Sequence, residues 1–266
     1  MTGALPLAEC RRRAARIRAA SLEMIGECGY GFAGSCLSVA DVLAAVSVSW
    51  TLGDGGPGGA DVLCLSKGHA APALYGLLHG ERWREVGGYA DLDSPLQGHP
   101  RRAWTADVPA TSGSLGLAPA HALGGHLGRR ARGTKGRLLI VVGDGELQSG
   151  PLLETLTWLG DTAAPGVLVV VDHNGWQSTG RSSRAATAAV SAAFAETREL
   201  DGNDPAQLLG LFTSFTPSTP AVLAVARTTR WAGTTVSPHE HTAMGFLPPR
   251  PQTDRMIQEL WRKARS

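Results

Sequence analysis

The feature that most limits the possible folds is a pair of short, wholly apolar runs that flank a helical segment. The runs are Leu138–Val142 and Val167–Val171, and the segment between them is Pro151–Leu159. Strands that are apolar on both faces are typical of a parallel sheet that helices cover on both sides. We therefore predict an α/β fold, a doubly wound and mostly parallel sheet with helices on both faces. Ligands of such sheets bind at the carboxyl ends of the strands.

The other predicted elements fit the same architecture. Apolar runs predict further strands at 62–65 and 221–225, and helical patterns cover 8–27, 38–50, 69–80, 205–212 and 253–265. Within the second helix, Ser38-Val-Ala-Asp41 is interpreted as a capping box. We expect one domain over residues 1–266, whose last helix follows a Pro-rich connection at 247–252.

Composition argues against several classes of protein. The chain has 25 Lys and Arg against 23 Asp and Glu, a net charge of only +2, which argues against nucleic-acid binding. The absence of any apolar run of about 18 residues predicts no membrane span. The four cysteines form no C-x-x-C pair, so we expect reduced thiols in a cytoplasmic protein. The arginine-rich start lacks the apolar segment of a targeting peptide and is interpreted as an amphipathic helix.

The strand at Leu138–Val142 runs directly into Gly143-Asp144-Gly145. A dinucleotide-binding fingerprint needs a third glycine where Gln148 stands, and the sequence has no Gly-Lys-Ser/Thr of a P-loop. A plain turn stays open as an alternative, because Asp-Gly is a common turn dipeptide. The remaining alternative is a site for a metal ion and a diphosphate.

The next predicted strand supplies a partner for Asp144. It ends in Asp172-His173-Asn174, and Asn174 follows Asp144 by one strand–helix–strand unit. We expect both side chains to meet at one edge of the sheet, where their oxygens could bind Mg²⁺ together with phosphate oxygens. The glycines beside Asp144 would allow a diphosphate to approach the backbone, and a following helix would offer N–H groups.

Three further stretches join this pattern: LSKGHAAPALYGLL at 65–78, GHP at 98–100 and TSGSLGLAPAHALGGHLG at 111–128. Together with a Gly-Asp-Gly followed about thirty residues later by Asn, they resemble the N-terminal half of transketolase, a thiamine diphosphate enzyme. Weaker similarity continues through 198–208 and 226–231 to the histidines at 239 and 241. The resemblance covers nearly the whole chain.

The resemblance implies a set of site residues. The metal, expected to be Mg²⁺, would be bound by the side chains of Asp144 and Asn174 and the carbonyl oxygen of Trp176. The implied thiamine diphosphate-binding residues are His69, Gly113, Ser114, Leu115, Gly145, Glu146, Asn174 and His241. The implied catalytic residues, which would hold and polarise substrate oxygens, are His69, His99 and His241, with His239 as the alternative to the last. Residues 113–115 are expected to open a long helix whose amides bind phosphate.

Each histidine also has a structural alternative. His69 could cap the helix that follows it, and His99 could belong to a rigid Gly-His-Pro turn. His239 and His241 form an H-x-H that could suggest zinc, although no further ligand is near in sequence. Surface or core positions are expected for the remaining histidines, which are His79, His121, His126 and His173. Nothing in the sequence predicts that Lys67 is buried, as a Schiff-base lysine would be.

Two departures from the family pattern concern the substrate. Phe32 stands where the family has a histidine that contacts substrate hydroxyls, so Phe32 and His99 are expected to determine specificity, with Phe32 favouring a less polar substrate. Ser149 stands where the family usually has a glutamate. This replacement thins a carboxylate network that would connect two active sites, and Glu154 either belongs to that network or is an ordinary surface residue.

The resemblance also implies an enzyme in two parts. In single-chain relatives a C-terminal pyrimidine-binding domain carries the glutamate that activates the cofactor, whereas this sequence ends at Ser266. We expect the N-terminal subunit of a split transketolase-like enzyme, a heterotetramer with a partner subunit that supplies that glutamate. It would transfer a two-carbon ketol unit from a ketose-type donor to an aldehyde acceptor, in specialised metabolism. The alternatives are a 2-oxo acid decarboxylase or acyloin-forming subunit, and a non-catalytic scaffold half.

Overall fold

The computed structural model describes residues 4–53, 61–105, 107–235 and 247–266. His239 and His241 lie outside these residues, so the roles expected for them stay predictions. All four cysteines lie inside them and form no disulfide, as predicted. Among the described helices, none combines the length and the apolar character that crossing a membrane requires.

The centre of the fold is a parallel sheet. The strands of the described residues are β1 (Val62–Leu65), β2 (Leu138–Gly143), β3 (Val167–His173), β4 (Trp176–Gln177), β5 (Gly180–Arg181), β6 (Thr197–Asp201) and β7 (Val222–Arg227). Five of them form the sheet in the order β1-β2-β3-β7-β6, and every neighbouring pair is parallel. Strands β4 and β5 form a separate antiparallel hairpin. The predicted parallel sheet is confirmed, and its order places β2 directly beside β3.

Helices pack on both faces of the sheet. Their bounds are α1 (Ala4–Cys28), α2 (Ala33–Ser49), α3 (Ala71–His79), α4 (Trp83–Val86), α5 (Leu117–Ala131), α6 (Gly150–Thr162), α7 (Arg184–Ala192), α8 (Pro205–Ser214) and α9 (Arg250–Arg265). Residues of α1, α2, α3, α8 and α9 form one apolar cluster with alternate strand residues such as Val141 and Val170. Residues of α5, α6 and α7 form a second cluster with the strand residues between them, such as Ile140 and Val169. Because a strand's side chains alternate between faces, an apolar residue at every position fills both cores.

Three details of the predicted elements are wrong. The second helix begins at Ala33, so Ser38 lies inside it and forms no capping box, and its hydroxyl donates to Asp172 over 2.6 Å. The long helix begins at Leu117 after Gly116 in a left-handed conformation, so residues 113–115 precede it as a loop. The last helix begins at Arg250, with Pro251 in its first turn, rather than after the Pro-rich connection. Proline fits there because the first N–H groups of a helix have no partner inside it.

Candidate active site

The carboxyl ends of the strands open onto a cavity of about 480 Å³. Predicted site residues that line it are Phe32, His69, His99, Leu115, Asp144, Gly145, Glu146, Asn174 and Trp176. Gly113 and Ser114 instead line an adjoining groove, which shares His99 with the main cavity. The fold therefore brings together most of the residues that the sequence singled out. The rule that ligands bind at the carboxyl edge of a doubly wound sheet describes this location.

The three expected metal ligands come from the positions directly after β2 and β3 and from strand β4. Asp144 is buried, and its Oδ2 accepts hydrogen bonds from Gly175 N at 2.7 Å and Ser182 Oγ at 2.8 Å. Asn174 Oδ1 accepts from Trp176 N at 3.1 Å. These bonds fix the orientation of both side chains. In the described residues no hydrogen bond reaches Asp144 Oδ1, so this oxygen is available to a cation.

Burial raises the pKa of Asp144, and the neighbouring charge of Asp172 raises it further. Hydrogen bonds from Ser182 and Gly175 act in the opposite direction. His173 Nδ1 lies 3.7 Å from Asp144 Oδ2, so this histidine, expected as a surface or core residue, borders the site. A divalent cation at Asp144 would stabilise the ionised carboxylate in this buried position.

Gly145 is required by packing. A Cβ at this position would lie 2.9 Å from Gln177 Cβ and 3.7 Å from the carbonyl oxygen of Trp176. The absence of a side chain therefore lets the β4–β5 hairpin lie against the turn, with the Trp176 carbonyl close to it. Gly143 shows no such crowding, because a Cβ there would make an ordinary contact of 3.8 Å with Lys67. Packing therefore explains why residue 145 is glycine, and it does not explain why residue 143 is.

Glu146 closes the floor of the cavity as a buried carboxyl group. Its oxygens accept hydrogen bonds from Ser66 Oγ at 3.1 Å and Gly143 N at 3.3 Å. Burial outweighs these bonds and raises the pKa of Glu146 to about 7. Glu146 therefore titrates in the neutral range, where a group that exchanges protons with a ligand is most useful.

A buried ion pair lies beneath the cavity. Lys67 Nζ contacts Asp172 Oδ2, and the two side chains are 2% and 0% exposed. The same carboxylate accepts from Ser38 of α2 and from Thr228 after β7, so it joins four segments of the chain. The burial of Lys67 was not expected from the sequence. The ion pair thus connects the loop after β1 with α2, β3 and the segment after β7.

His69 and Phe32 form the apolar wall of the cavity. Their rings meet edge to face with centroids 5.3 Å apart, and Tyr30 packs on the other side of Phe32 at 5.7 Å. His69 Nε2 lies 3.1 Å from Ser35 Oγ. Burial, with the charge of Lys67, lowers the pKa of His69 to about 3, so its imidazole is neutral at physiological pH. It can then donate or accept a hydrogen bond without carrying charge.

His99 lies where three loops meet. A Cβ on Gly68 would be 2.5 Å from Ser112 Oγ and 2.8 Å from His99 Cδ2, so only glycine allows this approach. The contact joins the loop after β1 to the Gly-His-Pro segment and to the loop that contains Gly113. Burial lowers the pKa of His99, which favours the neutral imidazole.

The two positions of the expected carboxylate network belong to the start and the first half of α6, and neither lines the cavity. Ser149 Oγ donates to the carbonyl of Leu115 at 3.0 Å, and the Leu115 side chain is 54% exposed. Glu154 is exposed on α6, together with Trp158. Neither position contradicts the expected roles, which remain predictions.

Several residues of the site were not predicted from the sequence. They are Tyr30, Ser35, Gln148, Gln177, Arg230 and Trp231, all of which line the cavity, and Ser182, which holds Asp144. One signal was available for Arg230, which closely follows the carboxyl end of β7. Because β7 is the parallel neighbour of β3, Arg230 lies at the same edge as Asn174.

Fold and site together define a doubly wound α/β protein with its ligand cavity at the carboxyl edge of the sheet. Residues 10–200 match the family model described as transketolase, thiamine diphosphate binding domain. The match covers more than half of the chain. The chain therefore belongs to the transketolase family, and the matched region is its thiamine diphosphate-binding domain.

Similar proteins include separate subunits as well as whole enzymes. The chain is 31% identical over 170 residues to the 6-deoxy-6-sulfo-D-fructose transketolase subunit of Clostridium sp. strain MSTE9, a match that covers 62% of each chain. It is 27% identical over 183 residues to one of the subunits of the apulose-4-phosphate transketolase of Actinobacillus succinogenes, covering 65% of this chain and 66% of that one. The crystal structure of Campylobacter jejuni transketolase matches 99% of this chain and 48% of its own, at 22% identity and a TM-score of 0.77. That structure supports the fold.

Proposed function

We propose that this chain is the N-terminal, diphosphate-binding subunit of a split transketolase-like enzyme that uses thiamine diphosphate and Mg²⁺. The observation that carries the proposal is the convergence of Asp144, Asn174 and Trp176 on one cavity. A carboxylate, an amide oxygen and a main-chain carbonyl are the hard oxygen ligands that Mg²⁺ prefers. Asp144 Oδ1, which accepts no hydrogen bond from the described residues, fits such an ion, and the cavity of about 480 Å³ has room for a diphosphate beside it.

The chain's own residues would bind and orient. Bound thiamine diphosphate supplies the capacity to break and form carbon–carbon bonds beside a carbonyl group. His69 and His99, both favoured as neutral imidazoles, would hold substrate oxygens through hydrogen bonds. Glu146 would accept or release a proton beneath the cavity, since its pKa lies near 7.

A partner subunit is part of the proposal. Two of the relatives are named as transketolase subunits, which supports an enzyme whose halves are separate chains. We infer that the partner is a pyrimidine-binding subunit that supplies the activating glutamate, and that two copies of each chain form a cytoplasmic heterotetramer. The reaction would transfer a two-carbon ketol unit from a ketose-type donor to an aldehyde acceptor, in a specialised biosynthetic pathway.

Phe32 favours a second candidate with the same cofactor. Its ring offers no hydrogen bond to a sugar hydroxyl and packs on His69, which makes one wall of the cavity apolar. A 2-oxo acid decarboxylase or acyloin-forming enzyme would suit such a wall. Product analysis of the reconstituted enzyme with pyruvate and with hydroxypyruvate separates the two candidates, because ketol transfer uses only the latter.

The proposal is tested by binding. The chain would be purified together with a candidate C-terminal transketolase-like subunit, and thiamine diphosphate would be titrated with and without Mg²⁺. We expect metal-dependent binding that Asp144→Ala abolishes, whereas Asp161→Ala, an exposed carboxylate on α6, binds as the wild type does. Absence of binding in the mixture, or wild-type binding by Asp144→Ala, would contradict the proposal and favour a scaffold.

A further inference from the structure

One exposed ring in the cavity has no role in the function proposed above. Among the described residues, the large hydrophobic side chains that are more than half exposed are Leu5, Tyr30, Leu92 and Leu115. Tyr30 and Leu115 line the cavity, and Leu115 is already expected to bind the cofactor. Tyr30 is 53% exposed, and its hydroxyl forms no hydrogen bond within the described residues. An exposed aromatic ring in a ligand cavity can contact a ligand directly.

The turn that carries Tyr30 is built with two glycines. The connection between α1 and α2 is Gly29-Tyr30-Gly31-Phe32. Gly29 has a φ of 74° and Gly31 a φ of 154°, conformations that favour glycine. A Cβ on Gly31 would also lie 2.5 Å from Ile25 Cγ1. The two glycines therefore fix the backbone on both sides of Tyr30 and limit the directions that its ring can take.

Phe32 makes ring contacts in place of a helix cap. It is the N-cap residue of α2 and forms no side-chain capping bond, although serine, threonine, aspartate and asparagine are the residues that stabilise this position. Its ring centroid lies 5.7 Å from that of Tyr30 and 5.3 Å from that of His69, and both contacts are edge to face. These three side chains form an aromatic row, which runs from the half-buried His69 to the exposed Tyr30.

The aromatic row limits which substrate groups can lie beside His69. In the function proposed above His69 holds a substrate oxygen, so atoms near that oxygen can lie against Phe32 and Tyr30. A sugar hydroxyl placed against these rings would exchange its water for no hydrogen-bond partner, which is unfavourable. An aromatic or alkyl group placed there removes apolar surface from water, and an aromatic ring can also pack edge to face.

We propose that Tyr30 and Phe32 form a subsite for an aldehyde acceptor that carries an aromatic or other apolar group in place of a sugar chain. The proposal rests on the ketol transfer proposed above and names the class of its acceptor. With hydroxypyruvate as donor, the bond to the donor's carboxylate breaks and CO₂ leaves. The remaining hydroxyacetyl unit forms a carbon–carbon bond to the aldehyde carbon, and the aldehyde oxygen takes up a proton. An aromatic aldehyde thus gives an aryl-substituted dihydroxyketone.

The test is a choice between two uncharged acceptors, benzaldehyde and D-glyceraldehyde, with hydroxypyruvate and the enzyme reconstituted with its partner. The wild type should have the higher kcat/KM with benzaldehyde. Tyr30→Ala should lower the ratio of the two kcat/KM values about tenfold, because it removes a ring contact, whereas Tyr30→Phe keeps the ring and should stay within about twofold of the wild-type ratio. The control is Leu92→Ala, an exposed leucine that does not line the cavity, which should leave the ratio unchanged.

A binding measurement gives a second readout that needs no turnover. In saturation-transfer NMR the full chain should transfer magnetisation to the ring protons of benzyl alcohol and not to glycerol. Tyr30→Ala should reduce this transfer, and Tyr30→Phe should not. Because Tyr30 is exposed, both variants should unfold near the wild-type temperature, which thermal unfolding checks.

Three results would overturn the assignment. The first is a wild-type kcat/KM ratio in Tyr30→Ala, and the second is a wild type that prefers D-glyceraldehyde. The third is a loss in Tyr30→Phe as large as that in Tyr30→Ala, which would assign the role to the hydroxyl.

Failure of the proposed function gives a different pattern. If neither acceptor reacts while binding of benzyl alcohol depends on Tyr30, the apolar subsite stands and the proposed transfer falls. If D-glyceraldehyde reacts and benzaldehyde does not, the proposed transfer stands and the inference falls.

Discussion

Replacing Lys67 by methionine tests whether the buried ion pair holds the site. The substitution leaves the Asp172 carboxylate, which is fully buried, without its cation. Breaking a buried pair from one side costs about 3–5 kcal/mol. Asp172 keeps the hydrogen bonds of Ser38 and Thr228, so we expect a loss of about 3 kcal/mol in the free energy of unfolding. That is a large share of the roughly 5–15 kcal/mol of a typical domain.

The assay is urea unfolding of a double-mutant cycle, which compares the wild type, two single variants and the double variant. Lys67→Met and Asp172→Asn should each be destabilised, and the double variant should recover most of the loss, because an apolar and a neutral side chain leave no unpaired charge. The control is Arg82→Met, which removes an ion pair to Glu85 whose side chains are 79% and 59% exposed, and it should change stability by less than about 1 kcal/mol. If the double variant were no more stable than the singles, or the coupling fell below about 1 kcal/mol, this reasoning would be refuted.

Three further predictions follow from the structure. Glu146→Gln removes a carboxyl whose pKa is raised to about 7, a shift that lowers the free energy of unfolding of the wild type as the pH rises above 4.5. In urea unfolding the wild type and the variant should be equally stable at pH 4.5, and at pH 8 the variant should be more stable by up to about 3 kcal/mol. Phe32→His, assayed with the partner subunit, should raise kcat/KM for a ketose phosphate about tenfold, worth about 1.4 kcal/mol, because it restores a hydrogen-bond donor; an unchanged value would remove Phe32 from specificity. Gly160→Ala should cost more than about 2 kcal/mol, because its Cβ would lie 2.0 Å from the carbonyl oxygen of Ala193, whereas Gly210→Ala, with no atom within 4 Å, should be neutral or stabilising in thermal unfolding.

The sheet could be predicted because its signal is local. Strands β2 and β3 are apolar at nearly every position, and their cores on the two faces need that pattern. Once the strands are parallel, their ends share an edge, which brings Asp144 and Asn174 to one cavity. Strand β6 was missed because it is an edge strand whose Arg198, Glu199 and Asp201 leave no apolar run.

The remaining parts of the site depend on contacts between distant segments. The burial of Lys67 follows from its pairing with Asp172, and Ser38 belongs to that cluster rather than to a helix cap. The four-residue pattern at 38–41 therefore did not form a cap, because the Ser38 hydroxyl bonds to Asp172 of β3 instead. Arg230 lies in the stretch 226–231 that resembles the family, yet its burial beside the cavity follows from its contacts with Gly34 and Trp176, which the sequence alone does not show.

The strand order also has a kinetic consequence. Edge strand β1 pairs with β2 through Val62 and Leu138, so helices α3 to α5 and their loops must be bridged before this ladder forms. Closing a long loop lowers the entropy of the chain before any contact offsets this cost, which slows folding. Lys67 and His69 follow β1 directly. We expect β2, β3 and α6 to assemble first. The part of the cavity that contains Asp144 would then form early, and the part that contains His69 would form last.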